Sequence, residues 1–451
     1  MTDSEFYEVE GKLMYFFTYY GEVYYGMIVQ NPSSWIYYII PNHNVKEYKE
    51  NNTKDDNFLK TIGWEIKDLN IITRVEEKVN LDMSNIKTFP INKKCKTLFV
   101  FGAGASAYCS IKENSENKSL FPLGNELFSK SYSSGSVVFY KGLQNFVPLY
   151  EARNVGIETF FEDCFTKIQN HCDVLTLRSL INVQFYIQDV IKERTSLVKN
   201  NISRYNAYSV FATYLRYYLQ ENKDNSVALV SFNYDTLLDE SLECEFDCRF
   251  EKMDDYCNSE TGFKLFKPHG SINWGWNLKR NVPNVASQKD FFEYLYDNKI
   301  DLATLYYKYL SDEKYVLKEK NYGVEHRVGG KGKFSLNKDT IAIMKNGDDF
   351  FYPALLLPYR DKDEFVMPFF HQLAMETAVG SIEEIYLIGW KGSEELFLRN
   401  LKKCKKLKKL VIVNPDVASV LKNIAGVVDF EKLETYDSFS NFVIDKIREE
   451  F

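Results

Sequence analysis

The chain lacks an apolar run of about 18 residues, the length that a membrane-spanning helix requires, and this predicts a protein without a membrane span. Its start, MTDSEFYEVEG, is acidic and holds no apolar stretch, so we expect no secretory signal. The formal net charge is −7, whereas binding to nucleic-acid phosphates needs a basic field. Direct nucleic-acid binding is therefore not expected. Without a predicted signal or membrane span, we expect a cytoplasmic location.

The sequence also lacks the paired Cys-x2-Cys units that are usual in structural zinc sites. Its eight cysteines are scattered, and without a secretory signal such cysteines are expected to be free thiols. Cys244, Cys248 and Cys257 come closest to a cluster, in the pattern C-x3-C-x8-C. A fourth ligand is missing from that set, so we expect no metal.

The residues that are present divide the chain into two predicted domains. Residues 1–92 hold aromatic and β-branched runs such as KLMYFFTYYGEVYYGMIV, which predict a small β-rich domain. Residues 93–451 hold four continuous apolar runs, each typical of a parallel strand that is buried on both faces. The runs are TLFVF at 97–101, VALVSF at 227–232, IEEIYLIG at 382–389 and KKLVIVN at 408–414. Helical patterns separate them, so we predict an α/β fold with a Rossmann-like parallel sheet.

Two insertions are predicted within the larger domain. Residues from about 150 to 225 carry helical periodicity over long stretches, which predicts a helical insertion. Residues from about 285 to 350 are polar and Tyr-rich, and we interpret them as a cap or insertion with helical turns. The basic run NLKKCKKLKK at 400–409 is interpreted as a solvated face in preference to a phosphate-binding patch.

The first predicted strand runs into the glycine-rich stretch FGAGAS. Glycines in such a turn let the backbone approach a pyrophosphate, and Gly102-x-Gly104-x-x-Ala107 fits the dinucleotide fingerprint that ends in alanine. That fingerprint also requires a strand that ends in an acidic residue about 20 residues later. The sequence predicts no such strand here. Tight packing of the strand on the next helix explains the glycines nearly as well, so both explanations remain open.

Two later motifs place polar groups after apolar runs. In SFNYD, Asn233 and Asp235 follow a predicted strand, where open α/β sheets bind ligands; capping of the next helix is the alternative. In KPHGS, Pro268 and Gly270 hold one of only five histidines, His269, on a turn. A histidine satisfied by the backbone is the alternative there.

Two further motifs complete the candidate site. LIGWKGSEE at 387–395 reads as a strand, a glycine turn and a helix start, and VIVNPD at 411–416 as a strand that ends at Asn414. In this order, the five motifs resemble the sirtuin family, and within it the bacterial sirtuin-like NAD-hydrolase domains of antiphage-defence proteins. The resemblance covers residues from about 93 to 451 and leaves the first 90 or so unexplained.

The resemblance implies that NAD is the substrate and gives each motif a role. In chain order these roles are pyrophosphate binding by Gly102, Ala103, Gly104 and Ser106; contact with the nicotinamide ribose by Asn233 and Asp235, with Asn233 also catalytic; catalysis by His269; phosphate or ribose binding by Gly389, Trp390 and Ser393; and adenosine-ribose binding by Asn414.

Several departures from the family's protein deacylases favour NAD hydrolysis. The deacylases' paired zinc cysteines are absent from this sequence, and the Gln that precedes their Asn-x-Asp motif is Phe232 here. An acyl-lysine channel and an Arg-bearing loop after the glycine-rich turn have no clear counterpart. Separately, the phosphate- or ribose-binding Gly-[Thr/Tyr]-Ser-type turn of the family departs here to Gly-Trp-Lys-Gly-Ser.

The resemblance therefore implies an effector that depletes NAD in abortive infection by phage. Such an enzyme would be gated by oligomerisation or by a partner, for which a HerA-type ATPase or an Argonaute-like protein is a candidate. Two alternatives stay open: an NAD-dependent deacylase or ADP-ribosyltransferase, and a non-catalytic sensor of NAD or ADP-ribose.

Overall fold

The chain divides into two compact units, Met1–Asn92 and Lys93–Phe451. The computed structural model describes the strands and helix of the first unit that are named below. In the second unit it describes residues 95–110, 119–129, 132, 141–171, 174–202, 206–222, 225–257, 261–277, 314–316, 323–328, 340–346, 349–358 and 365–450.

The first unit is built around a five-stranded antiparallel sheet. In spatial order its strands are Trp64–Ile66, Tyr37–Pro41, Glu22–Gln30, Tyr15–Tyr19 and Ile72–Arg74. The two short strands Glu8–Val9 and Lys12–Leu13 pair separately. The helix Asp56–Ile62 begins where the Asp55 carboxylate accepts a hydrogen bond from the Phe58 amide, which satisfies one of the free N–H groups of a helix start.

The second unit contains a six-stranded sheet in which every pairing is parallel. In chain order its strands are β1 (Cys95–Phe101), β2 (Ser226–Ser231), β3 (Phe263–Phe266), β4 (Glu384–Ile388), β5 (Leu407–Val413) and β6 (Phe430–Tyr436). Their spatial order is β3-β2-β1-β4-β5-β6. This is the strand order of the doubly wound dinucleotide-binding fold, which places a crevice between β1 and β4.

The predicted α/β fold with a Rossmann-like sheet is confirmed, and the four predicted strands correspond to β1, β2, β4 and β5. The strands β3 and β6 were missed for different reasons. The residues of β3 are buried, but only four of them precede the turn at Pro268. The residues of β6, at the sheet edge, are exposed or half-buried, so they carry no continuous apolar signal.

Helices cover both faces of this sheet. Phe99 and Phe101, which share one face of β1, contact Phe211 with ring centroids 5.0 Å apart in each pair. Phe211 belongs to the helix Ala207–Glu221, and Phe439 of the helix Phe439–Glu450 also contacts Phe101. The other described helices that follow or flank these strands are Ala103–Ala107, Leu237–Phe246, Phe369–Val379, Glu395–Leu401 and Val417–Ile424.

The predicted helical insertion corresponds to a run of long helices. They span Lys141–Arg153, Ile157–His171, Val174–Ile202 and Ala207–Glu221. Two buried glutamines of the third helix donate to backbone carbonyls of a second sheet: Gln184 to Leu355 at 2.7 Å and Gln188 to Ile272 at 2.8 Å.

That second sheet is antiparallel and has five strands. In spatial order they are Lys314–Val316, Gly270–Asn277, Asp349–Leu355, Thr340–Asn346 and Gly323–Val328. The helical turns predicted for 285–350 are therefore wrong where this stretch is described, and its residues 285–313 lie outside the described residues. These strands were not predicted, because β-propensity depends on cross-strand packing between residues that are distant in sequence.

The basic run at 400–409 is balanced by carboxylates. Its ion pairs are Lys403–Glu376, Lys406–Glu431, Lys408–Glu383 and Lys409–Glu434. This pairing favours a solvated face over a phosphate-binding patch. Among the described residues, no helix combines the length and apolar character that crossing a membrane requires.

Candidate functional site

The predicted site residues all follow strands of the parallel sheet, whose carboxyl ends share one edge. The strand β1 leads into the Gly102 turn and β2 into the stretch from Phe232 to Asp235. The strand β3 is followed by His269, and β4 and β5 lead into Gly389 and Asn414. The sheet therefore brings the five motifs to the edge where open α/β sheets bind ligands.

The glycine turns after β1 and β4 pack backbone against backbone. The Gly102 amide donates to the Ile388 carbonyl at 2.9 Å, and the Gly104 amide donates to the Gly389 carbonyl at 3.0 Å. A Cβ on Gly102 would lie 2.6 Å from the Gly389 oxygen, and one on Gly104 would lie 3.0 Å from it. Tight packing is thus one reason for these glycines, and two N–H groups of the turn are bonded within the chain. Phosphate binding at this turn stays a prediction.

Four buried polar side chains meet beside this turn. The Ser106 hydroxyl lies 2.7 Å from the Asp235 carboxylate and 2.8 Å from the Tyr208 hydroxyl. The Asn233 amide nitrogen donates to Ser106 at 2.9 Å and to Tyr208 at 3.0 Å. Ser106, Asn233 and Asp235 were predicted from the sequence, and the structure brings them into direct contact. Tyr208 was missed, because in YSVFATYLRYYLQE it looks like any other aromatic residue of a buried helix face.

Asp235 supports the start of the next helix, which is one of its two predicted roles, while ligand binding by this residue stays a prediction. One carboxylate oxygen accepts from Ser106, and the other accepts from the backbone N–H of Leu237, at 3.1 Å, where the next helix begins. Burial raises the pKa of the Asp235 carboxyl above its usual value, and the nearby Lys267 ammonium and the Ser106 hydrogen bond offset part of that effect. The carboxylate therefore both supports a helix start and anchors the polar cluster.

Lys267 links the two motifs that carry Asn233 and His269. Its side chain is fully buried (0% exposed), and its ammonium donates to the Asp235 backbone carbonyl at 2.7 Å and to the Asp239 carboxylate at 2.9 Å. The other Asp239 oxygen accepts from the Tyr256 hydroxyl at 2.9 Å. Sequence reasoning missed this lysine, although a lysine within the apolar stretch FKLFKP was a signal that pointed to a buried partner.

His269 lies on a turn that the backbone fixes on several sides. Its carbonyl accepts from the Leu356 amide at 2.9 Å, and the next residue, Gly270, has a φ of +79°. A Cβ on Gly270 would lie 1.8 Å from the Ala354 oxygen, so only glycine fits. The imidazole is 6% exposed, and its centroid lies 4.9 Å from the Phe232 ring.

An aromatic cluster extends from His269 toward the β4 turn. The Phe232 ring stacks on Trp390 with centroids 5.8 Å apart and an interplanar angle of 9°. Trp390 also contacts Phe397 edge-on, and its indole N–H donates to Glu394. Phe232 thus lies between the histidine and the tryptophan. It is the residue that stands where the sirtuin deacylases have a glutamine in their sequence motif.

Asn414 and Ser393 are held less closely to this cluster. The Asn414 amide donates to the Trp390 carbonyl at 3.4 Å and accepts from the Asp416 amide at 2.9 Å, so both ends of the side chain have partners within the chain. Ser393 is exposed, and its hydroxyl lies 3.4 Å from Glu394. The predicted residues therefore form a polar cluster and an aromatic cluster, joined by the adjacent residues Phe232 and Asn233.

Within the described ranges, no three or more His, Cys, Asp or Glu side chains are grouped so that they could hold a metal ion. None of the described cysteines, which exclude Cys172, forms a disulfide bond.

Comparison with known proteins assigns the chain to no family. No protein-family model matches the chain, and no curated protein matches it either. The fold and the site define a doubly wound α/β unit whose candidate residues lie at the carboxyl edge of its sheet. The likeness to sirtuins stays a prediction from the motifs.

Proposed function

We propose that the chain hydrolyses NAD to nicotinamide and ADP-ribose. The observation that supports this most is the direct contact of Ser106, Asn233 and Asp235 beside the glycine turn of β1, with Phe232 contacting His269. These residues come from widely separated parts of the sequence, and the parallel sheet gathers them at one edge. The resemblance assigns Ser106 to pyrophosphate binding and Asp235 to the nicotinamide ribose, and it makes Asn233 and His269 catalytic.

The reaction breaks the bond between nicotinamide and ribose through an oxocarbenium-like transition state, as is usual in glycoside chemistry. Nicotinamide leaves readily because its ring nitrogen starts out cationic, so the site needs no strong acid. The protein has to orient the ribose, exclude bulk water and direct one nucleophile. The aromatic rings of Phe232 and Trp390, both nearly fully buried, suit the exclusion of water.

Asn233 and His269 divide the remaining work. Asn233 hydrogen-bonds a ribose hydroxyl or holds the attacking water. His269 accepts a proton from that hydroxyl or water, since a histidine titrates near the operating pH. General-base assistance of this kind is typically worth about 10²–10⁴-fold in rate.

An NAD hydrolase that acts without control would deplete the NAD of its own cell, so we propose a gated effector of antiphage defence in the cytoplasm. Gating would come from homo-oligomerisation or from a sensor protein, with a HerA-type ATPase or an Argonaute-like protein as candidates from the resemblance. The first unit, Met1–Asn92, and the insertion at 285–350 are the proposed docking surfaces.

Incubation of the purified chain with NAD and chromatographic analysis of the products test the proposal. We expect nicotinamide and free ADP-ribose without any acceptor, in the chain alone or after addition of its activating partner. Transfer of ADP-ribose only to an acceptor would indicate the transferase alternative. Transfer of an acyl group to ADP-ribose would indicate the deacylase alternative. Intact NAD recovered after tight binding would indicate a sensor.

A further inference from the structure

The polar cluster holds Asn233 in a defined orientation. The Asn233 amide nitrogen, the Ser106 oxygen and the Tyr208 oxygen form a nearly equilateral triangle with sides of 2.8, 2.9 and 3.0 Å. The fourth member, Asp235, contacts only the serine among these three side chains, at 2.7 Å. All four residues are buried, so the polar hydrogens that face the cluster are expected to find acceptors within it.

Counting donors gives the direction of every bond. The Ser106 hydroxyl has a single hydrogen and donates it to the Asp235 carboxylate, at 2.7 Å. The Ser106 oxygen is then an acceptor for Tyr208 and for Asn233. The amide nitrogen must therefore face the two hydroxyls, because a flipped amide would set its oxygen 2.9 Å from the Ser106 oxygen with no hydrogen between them.

We propose that Tyr208 is a positioning residue that, together with Ser106, holds the Asn233 amide so that its carbonyl oxygen Oδ1 points away from the cluster, as an acceptor for a hydroxyl of the substrate. This inference rests on the proposed function and sharpens it. An outward Oδ1 selects a hydrogen-bond donor, which is a ribose hydroxyl or a water, and disfavours a carbonyl or phosphate oxygen at that point of the substrate.

The Tyr208 hydroxyl can be removed with little disturbance of packing. Its ring contacts Phe101 and Phe439 with centroid distances of 5.8 and 5.1 Å, and phenylalanine retains both contacts. Burial raises the pKa of Tyr208 well above its usual value, so the hydroxyl keeps its hydrogen at assay pH. The change Tyr208→Phe therefore removes one donor and one acceptor from the cluster and nothing else.

The first test is a double-mutant cycle on NAD hydrolysis. Tyr208→Phe should lower kcat by about tenfold, the effect of one lost hydrogen bond, and leave KM for NAD within about twofold. In the Asn233→Ala background the same change should have no further effect, because Tyr208 acts through Asn233. An unchanged kcat, or an equal loss in both backgrounds, would overturn the proposal.

A matched control is available on the same helix. The Tyr218 hydroxyl lies 2.7 Å from the Thr97 hydroxyl, near the amino end of β1 and so away from the candidate site. Tyr218→Phe also removes a tyrosine hydroxyl that has a hydrogen-bond partner, and it should lower stability with kcat unchanged. If both variants lose the same activity, the role of Tyr208 is only structural.

The second test does not depend on activity. In protein labelled with ¹⁵N at asparagine, the side-chain N–H₂ signals of Asn233 are assigned by their absence in Asn233→Ala. We expect them to exchange slowly with solvent, and to shift and exchange faster in Tyr208→Phe but not in Tyr218→Phe. Signals that Tyr208→Phe leaves unchanged would overturn the proposed orientation. Should the wild-type chain leave NAD intact even with its activating partner present, the proposed function fails, and these signals alone decide the orientation.

Discussion

The Gly104 amide donates to the Gly389 carbonyl across 3.0 Å, which joins the turn after β1 to the turn after β4. Gly389 itself has a φ of +59°, in the left-handed region that favours glycine. A Cβ at Gly389 would lie 2.1 Å from the Ala105 nitrogen. The turns after β1 and β4 are thus in direct backbone contact. A side chain added at one of these glycines would disturb that packing, whether or not it also affects ligand binding.

We predict that Gly389→Ala lowers the free energy of unfolding by several kcal/mol, since it adds a backbone clash to an unfavourable φ. Gly426→Ala is the matched control: its φ is +72°, and no atom lies within 4 Å of the added Cβ. The control should lose only about 1–2 kcal/mol, the cost of the left-handed backbone. Urea unfolding measures the free energy of unfolding of both variants. Equal losses for Gly389→Ala and Gly426→Ala would contradict the close packing at Gly389.

The buried ion pair should be costly to break from one side. Lys267→Met leaves the Asp239 carboxylate buried beside Tyr256 without its ammonium partner, so we expect a loss of about 3–5 kcal/mol. Adding Asp239→Leu should cost much less than a second such loss, because the unpaired charge is gone.

The exposed pair Lys403–Glu376, 3.0 Å apart, supplies the control for this experiment. Lys403→Met should change the free energy of unfolding by at most about 1 kcal/mol, as for other surface ion pairs. Urea unfolding compares the three variants. A loss for Lys267→Met no larger than for Lys403→Met would show that the buried ion pair contributes little.

The pH dependence of stability should reveal Asp235. Burial raises the pKa of this carboxyl above the ordinary 3.8, so the folded chain binds the proton more tightly than the unfolded chain does. The stability that Asp235 contributes therefore falls as pH rises from about 3.8 through the raised pKa, and is highest below that interval. Asp235→Asn lacks this titration, so unfolding at a series of pH values should favour the variant increasingly as pH rises. A constant difference between the two chains would contradict a raised pKa.

The first unit should be dispensable for folding of the second. Contacts divide the chain at Asn92 and Lys93, and the parallel sheet begins at Cys95. A chain starting at Lys93 should therefore be folded and should unfold cooperatively, which circular dichroism during heating would measure. An unfolded or insoluble product would show that the sheet needs the first unit.

Much of the sheet was predictable because its central strands are buried on both faces. The residues of TLFVF and VALVS are almost completely buried, as a continuous apolar run implies. The edge strand Phe430–Tyr436 was not predictable, since its exposed residues carry no such run. The strands of the antiparallel sheet depend on partners far away in sequence, which local patterns do not record.

The candidate site was predictable to a similar extent. Asn233 and Asp235 could be placed near Ser106 because parallel strands end at one edge. The apolar stretch around Lys267 was a signal for its burial, but its partner could not be predicted, since Asp239 lies 28 positions earlier in the sequence. Tyr208 gave no signal, because its hydroxyl contacts Ser106 and Asn233, which only the fold brings to it.

The most direct measurement is the rate of NAD hydrolysis beside NAD-dependent thermal stabilisation, for the wild-type chain, Asn233→Ala and His269→Ala. We predict that each variant loses at least about 10²-fold in turnover. Both should stay folded and show a wild-type increase in Tm with NAD, since ligand that binds the folded state raises it. If His269→Ala unfolds at a lower temperature but keeps its specific activity, His269 is a structural residue and the proposed mechanism is wrong.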